Sequence, residues 1–294
     1  MSVIAPPAVG RLTAMAPALT AAASFSVADI LLKVIYASGM DVLTLVSLRG
    51  VLVVVFFWVW LRMAPPARWH SKRQRNVALG LGVLFAMTMF GLLKSIAMLP
   101  VSIAILAYFI YPLLTGIAGA ITGVDRLGWR GLLTAAVAFF GLALMLGQQI
   151  GDLSLVGLGF AFTAAFFRVA SLLGTRAWLS GTDARVTTWY SMVPSTVIFL
   201  GAAAVSGEWN MPAFAWGWAA FFGAAITTTL STLLIYMSTS TVGPFRTAMV
   251  MNLEPLLTLV FSMMLLGEVL TLVQLIGAAV MIGALCAFQF VRGR

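Results

Sequence analysis

Ten predominantly apolar runs, each long enough to cross a bilayer, leave this 294-residue chain very few folds. They lie at roughly 13–37, 41–62, 76–98, 101–122, 130–149, 155–177, 186–206, 213–238, 244–266 and 271–291. A helix rising 1.5 Å per residue needs about twenty residues to span a hydrocarbon core of ~30 Å. Inside lipid every backbone N–H and C=O must find a partner within its own helix or a closed barrel. The alternation of a barrel strand is absent, so the expected fold class is an all-α membrane protein of ten transmembrane helices. Composition agrees, with 62% hydrophobic and 9% charged residues, where a soluble domain carries about a quarter charged. The N-terminus does not read as a cleaved signal peptide. It lacks a basic leader, and its long apolar run carries Asp29 and Lys33.

A single Cys286 allows no internal disulfide, and the lone His70 sits in the basic connection "RMAPPARWHSKRQRN". A zinc or haem site is not expected, and no cofactor is. The formal net charge of +9 raises nucleic acid as a partner, but the placement of the charges argues otherwise. With the N-terminus in the cytoplasm, thirteen of the seventeen Lys and Arg fall on the cytoplasmic side, namely Arg11, Arg62, Arg68, Lys72, Arg73, Arg75, Arg126, Arg130, Arg176, Arg185, Arg246, Arg292 and Arg294. The outer connections carry Asp41, Asp152, Glu208 and Glu268 instead. That is a positive-inside pattern with both termini cytoplasmic. The expected partners are therefore a small-molecule substrate and membrane lipids, with no nucleic acid and with a monomer sufficient.

The chain also repeats itself. "YPLLT" at Tyr111–Thr115 and "EPLLT" at Glu254–Thr258 are related by a shift of 143 positions. The same shift sets Gly80 against Gly223 and Asp125 against Glu268. A unit of five spans crosses the membrane an odd number of times, so a second copy enters upside down. The expectation is two inverted five-helix units, 1–149 and 150–294, around a central cavity.

The segment "NLEPLLTLVFSMMLLGEVLTLVQLIGAAVMIGA" resembles the closing part of drug/metabolite transporter superfamily members of the EamA type, through Leu253-Glu254-Pro255, Leu266-Gly267-Glu268 and the glycines of its last helix. "LLKSIAMLPVSIAILAYFIYPLLT" is similar to the matching piece of the first half. The resemblance implies ten helices, an inner-membrane location and export of small metabolites, amino acids (aromatic ones included) among them. It implies no catalytic residue, so the chain is not expected to be an enzyme. The first-half copy has Tyr111 where the second has Glu254, so a paired-carboxylate mechanism does not carry over.

Six ionisable side chains fall inside spans: Asp29, Lys33, Arg49, Lys94, Arg168 and Glu254. A charge at the bilayer centre costs at least about 2.5–3.5 kcal/mol, so each needs a partner, a wet cavity or an interface to snorkel to. Lys33 and Lys94 lie about one turn from the outer helix ends, where snorkelling suffices. Asp29 and Lys33 stand four apart and can satisfy each other. Arg168 is near mid-span, and Glu254 admits two readings, an ion pair with Arg168 or a titrating group that couples protons. Tyr108, Tyr111, Tyr236 and Asn252 complete the set of cavity or coupling candidates. The polar run "TTTLST" from Thr227 to Thr232 can line a cavity or bond back to its own helix. Pro112 and Pro255 each remove a helical hydrogen bond and are hinge candidates. The spacing Gly119-xxx-Gly123 is expected to serve helix packing.

An intramembrane aspartyl protease needs two carboxylates on adjacent spans and a GxGD element, which the sequence lacks. A lipid scramblase has no use for six buried ionisable groups. The reading is a carrier of small organic solutes, with export by alternating access as the first alternative and uptake or passive facilitation as the second.

Overall fold

The computed structural model describes residues 8–64, 69–125, 128–146, 154–207, 209–266 and 271–290. The connection residues Arg68, Arg126, Asp152, Glu208, Gly267 and Glu268, and the terminal Arg292 and Arg294, lie outside the described residues. The described chain forms helices α1 (Ala8–Ala37), α2 (Val42–Met63), α3 (Lys72–Met98), α4 (Val101–Tyr108), α5 (Tyr111–Thr122), α6 (Trp129–Leu146), α7 (Leu155–Leu179), α8 (Ala184–Ser206), α9 (Ala215–Val242), α10 (Pro244–Met251), α11 (Leu253–Leu266) and α12 (Leu272–Phe290). No strand occurs among the described residues. Among the described residues nine stretches are long and apolar enough to cross a membrane, counting α4 with α5 and α10 with α11 as one each, and α12 is a shorter apolar helix.

Short polar caps set the helix starts. Asp41 accepts from the Thr44 amide at 2.9 Å and the Thr44 hydroxyl at 2.5 Å to open α2. Ser71 and Gln74 exchange hydrogen bonds across the first turn of α3, a capping box. Asp183 accepts from the Arg185 amide at 2.9 Å to open α8. Asp41 also accepts from the Asn210 amide at 3.1 Å, which pins the α8–α9 connection to the α1–α2 turn. Burial opposes ionisation of Asp41, but these hydrogen bonds outweigh it and hold the carboxyl below its usual range.

The main contacts of residues 8–146 are with residues 154–290. Helix α1 packs on α9, α3 on α7, α6 on α12, and α2 on α8. Lipid supplies no hydrophobic drive between helices, so close approach of backbones does the work, and glycines mark it. A Cβ on Gly277 would stand 2.6 Å from the Gly141 carbonyl oxygen, and one on Gly82 would stand 2.0 Å from the Ser191 carbonyl oxygen. The Gly119-xxx-Gly123 expectation needs correcting. Gly123 ends α5 in the left-handed conformation at φ +70°, with open space where a Cβ would sit. Its role is to stop the helix.

Two spans are discontinuous. Helix α4 stops at Tyr108 and α5 restarts at Tyr111, with Pro112 in its first turn. Helix α10 stops at Met251 and α11 restarts at Leu253, with Glu254 and Pro255 in its first turn. Proline lacks the N–H that would bond four residues back, so the ladder opens there. The structure thus turns two expected kinks into two breaks at the positions 143 apart.

Candidate functional site

The two breaks and the middle of α7 meet in the main buried cluster. Tyr108 and Tyr111 flank the first break, 9% and 2% exposed, with ring centroids 5.3 Å apart. The Arg168 guanidinium lies 5.7 Å from the Tyr111 ring centroid, within cation–π distance. Arg168 Nε is sealed from solvent and has no hydrogen-bond partner among the described residues. Glu254, Tyr108, Tyr111 and Tyr236 all lie within electrostatic reach of that guanidinium. Arg168 forms no ion pair with Glu254 within 4.0 Å, since the pair that joins described side chains is Arg185 with Asp183.

Beside Arg168 is a cavity of about 20 Å³, whose polar wall is Ser171, Thr175, Thr232 and Tyr236. That is room for one water. Of the "TTTLST" run only Thr232 reaches this cavity. Thr227, Thr228, Thr229, Ser231 and Thr232 each have a carbonyl one turn back to donate to, and the Ser231 hydroxyl also reaches the Ala21 carbonyl of α1 at 3.0 Å. A wider cleft of about 580 Å³ opens between α2, α9 and the α7–α8 turn, where Arg185 clamps Asp183 at 2.6 Å and lies 5.4 Å from the Trp60 ring centroid.

Residues singled out from sequence separate into two groups. Asn252 closes α10, 3% exposed, and its Oδ1 has no partner among the described residues. Asp29 accepts from the Thr258 hydroxyl at 2.9 Å, and it acts electrostatically on Glu254. Lys33 donates to the Ser262 hydroxyl at 3.4 Å. Arg49 lies within electrostatic reach of Tyr36, near the C-terminal end of α1. Lys94 is exposed, 5.9 Å from the Phe90 ring centroid, as a snorkelling side chain requires.

Sequence reasoning missed Ser26, Ser171, Thr175 and Thr258. For Ser26 and Thr258 a signal existed. Glu254, Thr258 and Ser262 step by four along one face of α11, while Ser26, Asp29 and Lys33 step by three and four along α1.

The EamA-like transporter family model matches residues 155–288. The chain is 30% identical over 265 residues to the threonine/homoserine exporter RhtA of Escherichia coli (strain K12), covering 88% of this chain and 84% of that protein. It is 29% identical over 265 residues to the threonine/homoserine exporter RhtA of Salmonella typhimurium (strain LT2), with the same coverage of 88% and 84%. A solved crystal structure aligns with a TM-score of 0.75 at 14% identity, over 94% of this chain and 96% of that one, a likeness of fold.

Proposed function

Because the chain belongs to the EamA-like transporter family, we propose that it exports small amino acids across the inner membrane by alternating access, with Arg168 anchoring the substrate carboxylate. One observation carries the reading. The Arg168 guanidinium is held in the protein interior with its Nε sealed and unbonded, beside a polar cavity. A buried donor left without an acceptor costs about 1–3 kcal/mol, and more when charged. A carboxylate entering the cavity supplies the acceptors, and the planar fork of arginine suits it in bidentate geometry.

Glu254 lies within electrostatic reach of Arg168 without bonding to it. A zwitterion bridges such a gap, carboxylate toward Arg168 and ammonium toward Glu254. The hydroxyls of Ser171, Thr175 and Thr232 favour a short polar side chain over an aromatic one. The curated relatives named above, which export threonine and homoserine, support the same choice. Arg168, Glu254 and the three tyrosines therefore form the substrate site, with no chemical step.

The pathway follows from the repeat. The shift of 143 exchanges helix partners in pairs: α1 packs on α9 as α7 packs on α3, and α10 and α11 lie against α1 as α4 and α5 lie against α7. That exchange supports two inverted five-helix units, with Pro112 and Pro255 as hinges on opposite sides of the axis between them. A site of about 20 Å³ has room for a single water only, whereas ligand pockets run to about 300–1,000 Å³. Transport then alternates between opening this site to one side and to the other.

The test is efflux. Cells overproducing the chain, loaded with threonine or homoserine, should release it faster than cells lacking the chain. Equal release across a panel of amino acids sinks the proposal.

A further inference from the structure

We propose that Asp125 is a positioning residue for transport: it caps α10 from the end of α5 and latches the two half-helices together. The latch keeps the site at Arg168 closed on their side, which is the cytoplasmic one in the orientation expected from the charges. The proposal rests on the exporter reading above and names the contact that opens before a substrate enters.

The latch is built from the end of α5. Gly123 stops that helix in the left-handed conformation at φ +70°. The chain then turns back, and the Asp125 amide donates to the Gly119 carbonyl at 3.2 Å. Gly119 leaves room for this return, since a Cβ there would stand 3.2 Å from Asp125 Cβ. The two glycines that stand out by spacing thus form a hook that carries a carboxylate.

The hook reaches into the second half of the chain. Asp125 Oδ2 accepts from the Phe245 amide in the first turn of α10 at 3.2 Å, across 120 positions of sequence. The first N–H groups of a helix have no partner within it, and a capping side chain normally supplies one. Gly243 opens α10 and has no side chain to do so. Its φ of +101° and ψ of 159° lie in a region that is essentially glycine's alone. A Cβ at Gly243 would stand 3.0 Å from Asp125 Oδ2, so the carboxylate lies directly on that glycine. A negative charge at a helix N-terminus is favoured by the helix dipole as well.

The two half-helices that the latch joins are those that frame the site. Helix α5 runs from Tyr111, whose ring lies against the Arg168 guanidinium, to the hook. Helix α10 runs from the latch to Asn252, two residues before Glu254. They pack against each other. The 8 residues of α10 put the latch ~12 Å from the second break. Bending at either break swings its half-helix as a lever, and the bond between the far ends opposes that swing. Thr115 on α5 and Met249 on α10 lie between break and latch, and both are fully buried. A neighbouring contact at the same end, from the Arg176 guanidinium to the Ser240 carbonyl, ties α7 to α9 within the second half. The Asp125 contact is different because it crosses between the halves that must move.

The test reads access to the closed path. In a Cys286→Ala background, Thr115→Cys should react slowly with an impermeant thiol reagent added to everted vesicles, whose cytoplasmic face is outward. Adding Asp125→Ala should speed that labelling about 2–30-fold, the shift in equilibrium that loss of a capping side chain brings. Asp125→Asn keeps an acceptor oxygen and should stay within about twofold of the parent. Asp125 is half-buried in a connection, so its replacement leaves the packed interior in place. Gly243→Ala is a second, independent disruption, and it should speed labelling as Asp125→Ala does. Apparent affinity scales with the fraction of protein competent to bind. Asp125→Ala alone should therefore lower the threonine KM at the cytoplasmic face by up to the same factor, which a purely structural role would not do. Unchanged labelling in both Asp125→Ala and Gly243→Ala, or labelling that rises only from the outer face, overturns the latch. A rise of equal size in Asp125→Asn overturns the capping role. Faster labelling in a protein that moves no amino acid upholds the latch and overturns the exporter reading.

Discussion

Replacing Gly82 by Ala should separate α3 from α8 and lower stability, while the same change at Gly80, two residues away and on nearly the opposite face of the helix, should not. An added Cβ at Gly82 would lie 2.0 Å from the Ser191 carbonyl oxygen and 2.5 Å from Pro194 Cγ, whereas one at Gly80 meets nothing within 4 Å. The partners at Gly82 are a backbone and a proline ring, neither of which can swing aside. The two helices must move apart by roughly 1 Å or more to restore normal contact. Overpacking of this kind costs about 1–3 kcal/mol. Both variants gain about 1 kcal/mol of helix propensity, so their difference isolates the packing strain. At about 2–4 °C per kcal/mol for a large domain, Gly82→Ala should melt on the order of 3–10 °C below Gly80→Ala. Tryptophan fluorescence during a thermal ramp in detergent reads this directly. Equal melting temperatures, or a lower one for Gly80→Ala, would refute the close α3–α8 approach.

Further expectations concern topology, the prolines and pH. In a Cys286→Ala background, Asp152→Cys and Glu208→Cys should react with an impermeant maleimide in intact cells, and Arg73→Cys only after lysis; labelling of position 73 in intact cells would invert the membrane orientation. Pro112→Ala and Pro255→Ala should each restore a helical hydrogen bond, leave the fold largely intact and slow transport turnover; unchanged turnover in both would make the breaks static shape. His70 Nε2 lies 2.9 Å from the Thr187 hydroxyl, and burial holds its ring below the usual histidine range, against the pull of Asp183. A lowered folded-state value means stability that is full above the unfolded value of about 6.5 and lost as pH falls through the folded one. Melting temperature should therefore drop between about pH 7 and pH 5 in the wild type and drop less in His70→Gln; parallel curves would remove His70 from the account.

The spans were legible because apolar runs of this length admit one solution in lipid. The run expected at 101–122 is Val101–Thr122 in the structure, and that at 41–62 is Val42–Met63. The repeat of Pro112 and Pro255 pointed to a disturbance in both spans, and each span breaks one turn before its proline, which lies in the first turn of the helix that restarts. What proved illegible depends on which distant helix faces which. Gly141 and Gly277 touch backbone to backbone across α6 and α12, yet neither stands out in a chain with 27 glycines. Gly119 and Gly123 did stand out, by spacing alone, and Gly123 proved to be a helix terminus. At the site, Arg168 and Glu254 were identifiable as charges with no business in lipid. Their arrangement, near each other but unbonded with Tyr111 beneath the guanidinium, needed the fold.

The central claim is that Arg168 holds the substrate carboxylate, and threonine transport by Arg168 variants in proteoliposomes tests it most directly. Loss of a hydrogen bond to a charged group is worth about 1.5–3 kcal/mol, so Arg168→Gln should raise the threonine KM by roughly 10–150-fold. Arg168→Lys keeps the charge and loses the fork, so it should fall between Arg168→Gln and the wild type. A wild-type KM and turnover in Arg168→Gln would contradict the account, because the guanidinium would then have no part in holding what the protein carries.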